Sequence, residues 1–167
     1  MVDNFDIVGA LVESSGERLD AVRDAALLGL GQIGAMAKSA LPHLETLLAD
    51  KKYRNRVNAA RAYWMISGES KVSVKTLIEL TKNVDHTLDA IDTLAVLKAD
   101  AGAAIPRLRD LLDSPDPDIR MQSVRAIGLI GTTDPEVITT VNELQNDIDP
   151  DSARAARQAF GLLKMKK

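Results

Sequence analysis

Residues 22–48 read VRDAALLGLGQIGAMAKSALPHLETLL, and the rest of the chain repeats this unit. Their apolar residues recur every three or four positions, which is the spacing of one face of an α-helix and not the alternation of a strand. Gly34 follows the last apolar residue of the first half, where a left-handed helix cap is expected. The stretch therefore predicts two short amphipathic helices joined by a turn, which we call the A helix and the B helix.

The register of the repeat is defined by seven positions of this unit: Arg23, Ala26, Leu30, Ile33, Leu41, Leu44 and Leu47. It returns after 33, 64, 97 and 130 residues, and the last copy stops after its A helix. A fixed period of this length indicates a stacked array, because one helical hairpin cannot bury its apolar face alone. The sequence therefore predicts an all-α fold, a right-handed α-solenoid (superhelix) of about five helical hairpins and ten helices.

An earlier B helix is expected in residues 4–14, which match the B helix shifted back by one repeat. None of the links between helices is long enough, or different enough in composition, to mark a domain boundary. We therefore expect a single domain over residues 1–167, built of B–A pairs at about 4–34, 35–67, 68–98, 99–131 and 132–167.

The unit resembles the HEAT repeat, in the short form found in phycobilisome-lyase-like proteins. The residues that carry the resemblance are Val22-Arg23, Ala25-Ala26, Leu30-Gly31, Ile33-Gly34, Ala40-Leu41-Pro42, Leu44 and Leu47-Leu48. The resemblance covers nearly the whole chain and implies stacked hairpins whose B helices line a concave side. It implies little about function, because such repeats serve many unrelated roles.

The composition argues against several classes of protein. Cysteine is absent, which excludes disulfides and cysteine metal sites and fits a cytoplasmic location. The first ten residues contain acids and no basic segment, unlike a secretory signal, and no apolar run approaches the ~20 residues of a membrane-spanning helix. The net charge of −3, with both signs spread along the chain, disfavours nucleic acid as a partner.

The sequence offers few candidates for catalysis or metal binding. His43 and His86 are the only histidines, and neither is followed by the glutamate found in the iron-binding His-Glu dipeptides of HEAT-like hydroxylases. There is no phosphate loop, nucleophile elbow or Ser/His/Asp grouping. We therefore expect no enzymatic activity, no catalytic residues, no cofactor and no metal site.

Arg23, Arg56 and Arg120 occupy one column near the start of their A helices. The column is open to two interpretations, an anion-binding ladder or a structural ladder. The resemblance favours the structural ladder, since such an arginine in HEAT arrays bonds acids and carbonyls in neighbouring links. Asp50 and Asp147 are the expected partners.

The B helices present the more informative surface. If Leu41, Leu44, Leu47 and Leu48 face inward, two rows of positions on the B helices face the groove. We call the row Glu13, Thr46, Glu79, Asp110 and Glu143 the outer row, and the row Ala10, His43, Thr76, Arg107 and Thr140 the inner row. Carboxylates occupy four of the five outer-row positions, which predicts an acidic ridge suited to a basic segment of a protein partner. The alternative is an ordinary solvated face.

Trp64 breaks the repeat, because it stands in a column otherwise held by Gly31, Ala95, Gly128 and Gly161. Small residues in that column predict close contact between neighbouring helices. A large ring there must either fill a gap in the core or turn outward as an aromatic anchor for a partner. Both possibilities remain open at this point.

Three functions compete. The first is a non-catalytic scaffold or adaptor that binds a protein partner through the concave B-helix face. The second, implied by the resemblance, is a phycobilin-lyase-like accessory subunit that handles a tetrapyrrole, for which only His43 plainly qualifies. The third is a HEAT-like DNA glycosylase module, which the acidic ridge and the net charge oppose. The oligomeric state and the identity of a partner do not follow from the residues.

Overall fold

The computed structural model describes residues 4–16, 20–50 and 55–165, with side chains from residue 7 onward. These residues form ten α-helices and no strand, which confirms the expected all-α class: α1 (Asn4–Ser15), α2 (Asp20–Ile33), α3 (Leu41–Ala49), α4 (Arg56–Ser67), α5 (Ser70–Leu80), α6 (Thr87–Leu97), α7 (Ile105–Leu111), α8 (Pro117–Ile130), α9 (Pro135–Glu143) and α10 (Pro150–Met165). The odd-numbered helices are the B helices and the even-numbered ones are the A helices. Three short 3₁₀ segments accompany them, Gly34–Ala40, Lys98–Ala104 and Leu144–Asn146.

The helix starts follow from local chemistry. In α8 the side chain of Asp116 accepts a hydrogen bond of 2.9 Å from the N–H of Asp118, and in α9 Asp134 caps Glu136 at the same distance. Proline follows each of these caps, where its missing N–H costs nothing because the first helical N–H groups have no partner within the helix. The Asp-Pro pairs therefore fix where these two helices begin.

The A helices end on a backbone turn that favours glycine. Gly34, Gly68 and Gly131 have φ values of 63°, 73° and 85°. In the third repeat the same place is taken by Lys98, with φ 51° and ψ −130°, the one non-glycine residue of positive φ in the described chain. A side chain in this region of φ and ψ is strained, so the divergent third repeat retains the turn without the residue that suits it.

Residue contacts divide the chain into two compact units, Met1–Thr76 and Leu77–Lys167. The core of the first unit contains the fully buried side chains of Leu27, Leu30, Leu44 and Ile66. The core of the second is built in the same way and includes Leu94, Leu108, Ile127 and Val137. Each unit thus has its own aliphatic core between A and B helices, and the expectation of a single domain with a right-handed superhelix stays a prediction.

Three glycines share the repeat column of Trp64, namely Gly31, Gly128 and Gly161, and neighbouring helices come close at two of them. A Cβ added to Gly128 would lie 2.8 Å from the Cα of Ala159, so α8 and α10 touch through their backbones. A Cβ on Gly31 would lie 3.0 Å from the Met65 sulfur and 3.5 Å from the Cα of Ala62. Nothing lies within 4 Å of such an atom on Gly161. The expectation of close contact is therefore right for Gly31 and Gly128 and wrong for Gly161.

Candidate functional site

The outer row of the B helices faces solvent in both units. All five of its side chains are exposed, and they are Glu13, Thr46, Glu79, Asp110 and Glu143. The leucines and other aliphatic residues beside them, such as Leu44, Leu77 and Leu108, are completely buried. This is the alternation that helical periodicity predicts for an amphipathic helix with one face on the core.

The inner row is largely engaged inside the structure. His43, Arg107 and Thr140 are half-buried, and the Thr140 hydroxyl donates to the backbone oxygen of Glu136 at 3.1 Å. Thr76 is only 7% exposed, so the expectation that it faces a groove is wrong. It lies beside the buried Leu77 on α5, and Ser73 and Val74 of the same helix are buried as well.

His43 joins α3 to the end of α1. The buried Ser15 hydroxyl donates to the backbone oxygen of Val12 at 2.7 Å and lies 2.7 Å from Nε2 of His43. Because the one hydroxyl proton of Ser15 is used on Val12, His43 Nε2 must donate to Ser15 Oγ. Burial lowers the pKa of His43 from its usual value. His43, which the sequence places in the inner row facing the groove, is therefore a half-buried contact between two helices.

Arg107 holds the link that precedes α6. Its Nε donates to Thr81 Oγ1 at 3.0 Å, and its Nη2 donates to the Thr81 carbonyl at 3.1 Å. The A helix of this repeat has Thr87 in the arginine column, and the Thr87 hydroxyl reaches the carbonyls of Thr81 and Asn83. Arg107 therefore adds, from a B helix, guanidinium hydrogen bonds to the same link that the Thr87 hydroxyl contacts.

The arginine column contacts the links between helices. Arg120 forms a two-point ion pair with Asp147, both distances 2.9 Å, and also donates to the carbonyls of Ser114 and Pro115. These hydrogen bonds from Arg120 hold the pKa of the Asp147 carboxyl below its usual value, although burial acts in the opposite direction. This is the pairing expected from the sequence, and it ties the start of α8 to the links on both sides.

The other two arginines make different contacts. Arg56 is buried, and its Nε donates to the Leu48 carbonyl at 3.0 Å. Arg23 donates through Nε to Asn55 Oδ1 at 2.7 Å and pairs with Asp20 in its own helix. Asn55 in turn donates to Asp24, which also receives a hydrogen bond from Asn58. Asn55 was not singled out from the sequence, because nothing local marks an asparagine as a bridge to a residue about one repeat away.

Trp64 is half-buried on α4, between the two extremes that the sequence left open. Its neighbour Tyr63 is buried, and the Tyr63 hydroxyl donates to Glu45 at 3.2 Å. The role of Trp64 as an aromatic anchor stays a prediction.

A cavity of about 340 Å³ opens between α7 and α9 in the second unit. Its lining residues are Arg109, Asp110, Asp113, Glu136 and Thr140. Arg109 Nη1 lies 2.9 Å from Glu136 Oε2, and the two side chains are 42% and 78% exposed. Sequence reasoning placed Asp110 and Thr140 on this face but missed three residues: Arg109 next to Asp110, Glu136 one turn before Thr140, and Asp113 in the link after α7.

Two features of the described residues bear on the kind of site. Among residues 4–16, 20–50 and 55–165, no group of three or more histidine, cysteine, aspartate or glutamate side chains is arranged to hold a metal ion. Within the same residues no helix combines the length and the apolar character needed to cross a membrane.

Solved structures of engineered and designed proteins are similar in fold to this chain. The chain is similar to an engineered protein with 21% sequence identity and a TM-score of 0.63, covering 95% of this chain and 79% of that one. It is also similar to a designed armadillo repeat protein in complex with the peptide (KR)4, with 18% identity, a TM-score of 0.65, and 93% and 81% of the two chains covered. A second designed armadillo repeat protein matches at 20% identity and a TM-score of 0.59 over 93% and 82% of the chains. At these identities the likeness shows the fold alone, that of an α-solenoid.

Sequence comparison identifies the family. No curated protein matches the chain. The model of the PBS lyase HEAT-like repeat matches residues 22–50, the stretch that includes the first complete A–B unit. The model of HEAT repeats matches residues 74–161, which is more than half of the 167 residues. The protein therefore belongs to the HEAT repeat family.

Proposed function

We propose that this protein is a non-catalytic scaffold that binds a basic segment of a protein partner through its B helices. The observation that carries the proposal is the exposure of the whole outer row, with a carboxylate at four of its five positions. Within a unit, exposed side chains that repeat from one helical hairpin to the next, about 8–10 Å apart, can contact residues two or three positions apart in an extended chain. The polar inner row is mostly occupied by internal contacts, so the outer row supplies the recognition.

The second unit favours a basic partner most clearly. Glu79, Asp110 and Glu143 are its outer-row members, and Asp113 and Glu136 add two exposed carboxylates around the cavity. A surface with an excess of negative charge attracts a segment of the opposite sign and accelerates its association. The designed armadillo repeat protein bound to (KR)4 has the same general fold, and its ligand is an alternating lysine-arginine peptide.

Binding rather than catalysis is also the better fit to the histidines. A tetrapyrrole-handling role would use His43, which donates to Ser15 within the first unit. HEAT repeats act in many unrelated systems, so membership of the family does not by itself distinguish one function from another. The site chemistry, which consists of carboxylates, hydroxyls and one half-exposed arginine, suits recognition of cations.

The test is binding of fluorescein-labelled (KR)4 peptide, measured by anisotropy at low ionic strength and again at about 150 mM salt. We expect the wild-type protein to bind, and the Asp110→Lys/Glu143→Lys variant to bind at least about tenfold more weakly. The control is Asp89→Lys/Asp118→Lys, which changes the net charge equally at two exposed positions of A helices. Equal binding by the wild type and the B-helix variant would refute the proposed surface.

A further inference from the structure

The cavity between α7 and α9 already contains a cation from the chain itself. Arg109 extends from α7 and places Nη1 2.9 Å from Glu136 Oε2 on α9. Both side chains remain accessible to water, at 42% and 78% exposure. An exposed ion pair of this kind contributes little to stability, because solvent and salt screen it. The pair can therefore open without disturbing the fold.

The other two carboxylates of the cavity have no such partner. Asp110 and Asp113 are exposed, and neither makes a hydrogen bond or ion pair with any residue that the structure describes. Three carboxylates and one guanidinium thus line a space of about 340 Å³. The cavity keeps an excess of negative charge, and the geometry of the Arg109–Glu136 pair shows that a guanidinium fits its edge.

We propose that Arg109 is an internal competitor for the basic segment, so that the Arg109–Glu136 ion pair is an autoinhibitory contact at the binding surface. This inference rests on the proposed function. An incoming lysine or arginine enters the cavity beside Asp110 and Asp113 and takes Glu136 from Arg109. The displaced Arg109 side chain moves into solvent. While Arg109 remains in the cavity, its positive charge opposes the binding of the ligand.

The inference predicts opposite effects for the two halves of one ion pair. Arg109→Gln removes the competing cation and leaves all three carboxylates, so (KR)4 should bind about three- to tenfold more tightly at low ionic strength. Glu136→Gln removes a carboxylate and leaves Arg109 unpaired in the cavity, so the peptide should bind more weakly than to the wild type. Both differences should shrink at about 150 mM salt, because screening weakens exposed charge interactions.

The experiment measures (KR)4 anisotropy for the wild type, the two single variants and Asp113→Asn, with urea denaturation to confirm that each variant is folded. Asp113→Asn should weaken binding, as expected for a carboxylate of the cavity. A pair that served only the structure would shift binding in the same direction in both single variants, and this result would overturn the inference.

The outcomes also separate the inference from the proposed function. In one outcome, the wild type binds the peptide, Asp110→Lys/Glu143→Lys abolishes binding, and Arg109→Gln does not tighten binding. The autoinhibitory contact is then refuted and the scaffold function stands. If neither the wild type nor Arg109→Gln binds the peptide at low ionic strength, both are refuted. Binding by Arg109→Gln alone would support the competitor role directly.

Discussion

At the scale of single residues, Ser123 is the exception in a column of buried alanines. The equivalent positions in the other repeats are Ala26, Ala59, Ala90 and Ala156, all buried. Ser123 is completely buried, and its hydroxyl has no hydrogen-bond partner among the described residues. A buried hydroxyl without a partner loses its hydrogen bonds to water and gains none in return. The fourth repeat therefore has a polar group where the packing of the array requires only a methyl.

Replacing this serine should stabilise the protein. We expect Ser123→Ala to raise the free energy of unfolding by about 1 kcal/mol, since it removes the unsatisfied hydroxyl and keeps the shape. The matched control is Ser152→Ala in the same unit, because Ser152 is equally buried but donates to the Pro117 carbonyl at 3.2 Å. In that control, the free energy of unfolding measured by urea denaturation should fall by about 1 kcal/mol. A loss of stability in both variants would contradict the prediction.

At the scale of helices, the contact between α8 and α10 depends on one absent side chain. Gly128 and Ala159 bring the two backbones together, and a Cβ at Gly128 would overlap the Cα and Cβ of Ala159 at 2.8 Å. The neighbouring atoms belong largely to backbone, so they cannot move aside cheaply. Gly161 stands in the same column of the next A helix with open space around it. The same residue type at the same repeat position thus serves a packing role in one helix and none in the next.

The two glycines should respond oppositely to alanine. Gly128→Ala should lower the free energy of unfolding by about 1 to 3 kcal/mol, because α8 and α10 must separate. Gly161→Ala should raise it by up to about 1 kcal/mol, since alanine is the better helix former and nothing obstructs it. Thermal and urea denaturation of both variants measure the difference. Equal changes in the two variants would show that the close approach of α8 and α10 contributes nothing.

At the scale of the whole molecule, the two units carry titratable groups that respond to different ranges of pH. In the first unit, burial lowers the pKa of His43 below its ordinary 6.5, so the folded state binds a proton less readily than the unfolded state. Its stabilising contribution is complete above 6.5 and is lost as pH falls through the lower, folded pKa. In the second unit, Arg120 lowers the pKa of Asp147 below 3.8, so its contribution is lost only at much lower pH.

Acidification should therefore weaken the protein in two stages. We expect the unfolding midpoint of the wild type to fall first as pH drops below about 6.5, and again at pH below about 3.8. His43→Gln should remove the first decrease, and Asp147→Asn should lower stability at neutral pH and remove much of the second. Urea denaturation over a pH series measures both. A midpoint that does not change between pH 8 and pH 5 would contradict the assignment to His43.

The sequence by itself determined the helices, their repeat and the exposure of the outer row. These features follow from periodicity, since a helix that buries Leu44 or Leu108 against a core must turn Thr46 or Asp110 outward. The end of the third A helix is harder to predict from the sequence, because Lys98 gives no local signal of the positive φ that a glycine marks at the ends of other A helices.

The tertiary structure decided which polar side chains are available to a partner. The partners of His43, Arg107 and Arg109 lie 28, 26 and 27 residues away along the chain. Such pairings depend on how one hairpin is placed against the next, and helical spacing within a hairpin contains no information about that placement. For this reason the sequence alone assigned His43 and Arg107 to the groove, while the fold turned them to internal contacts and brought Arg109 to Glu136.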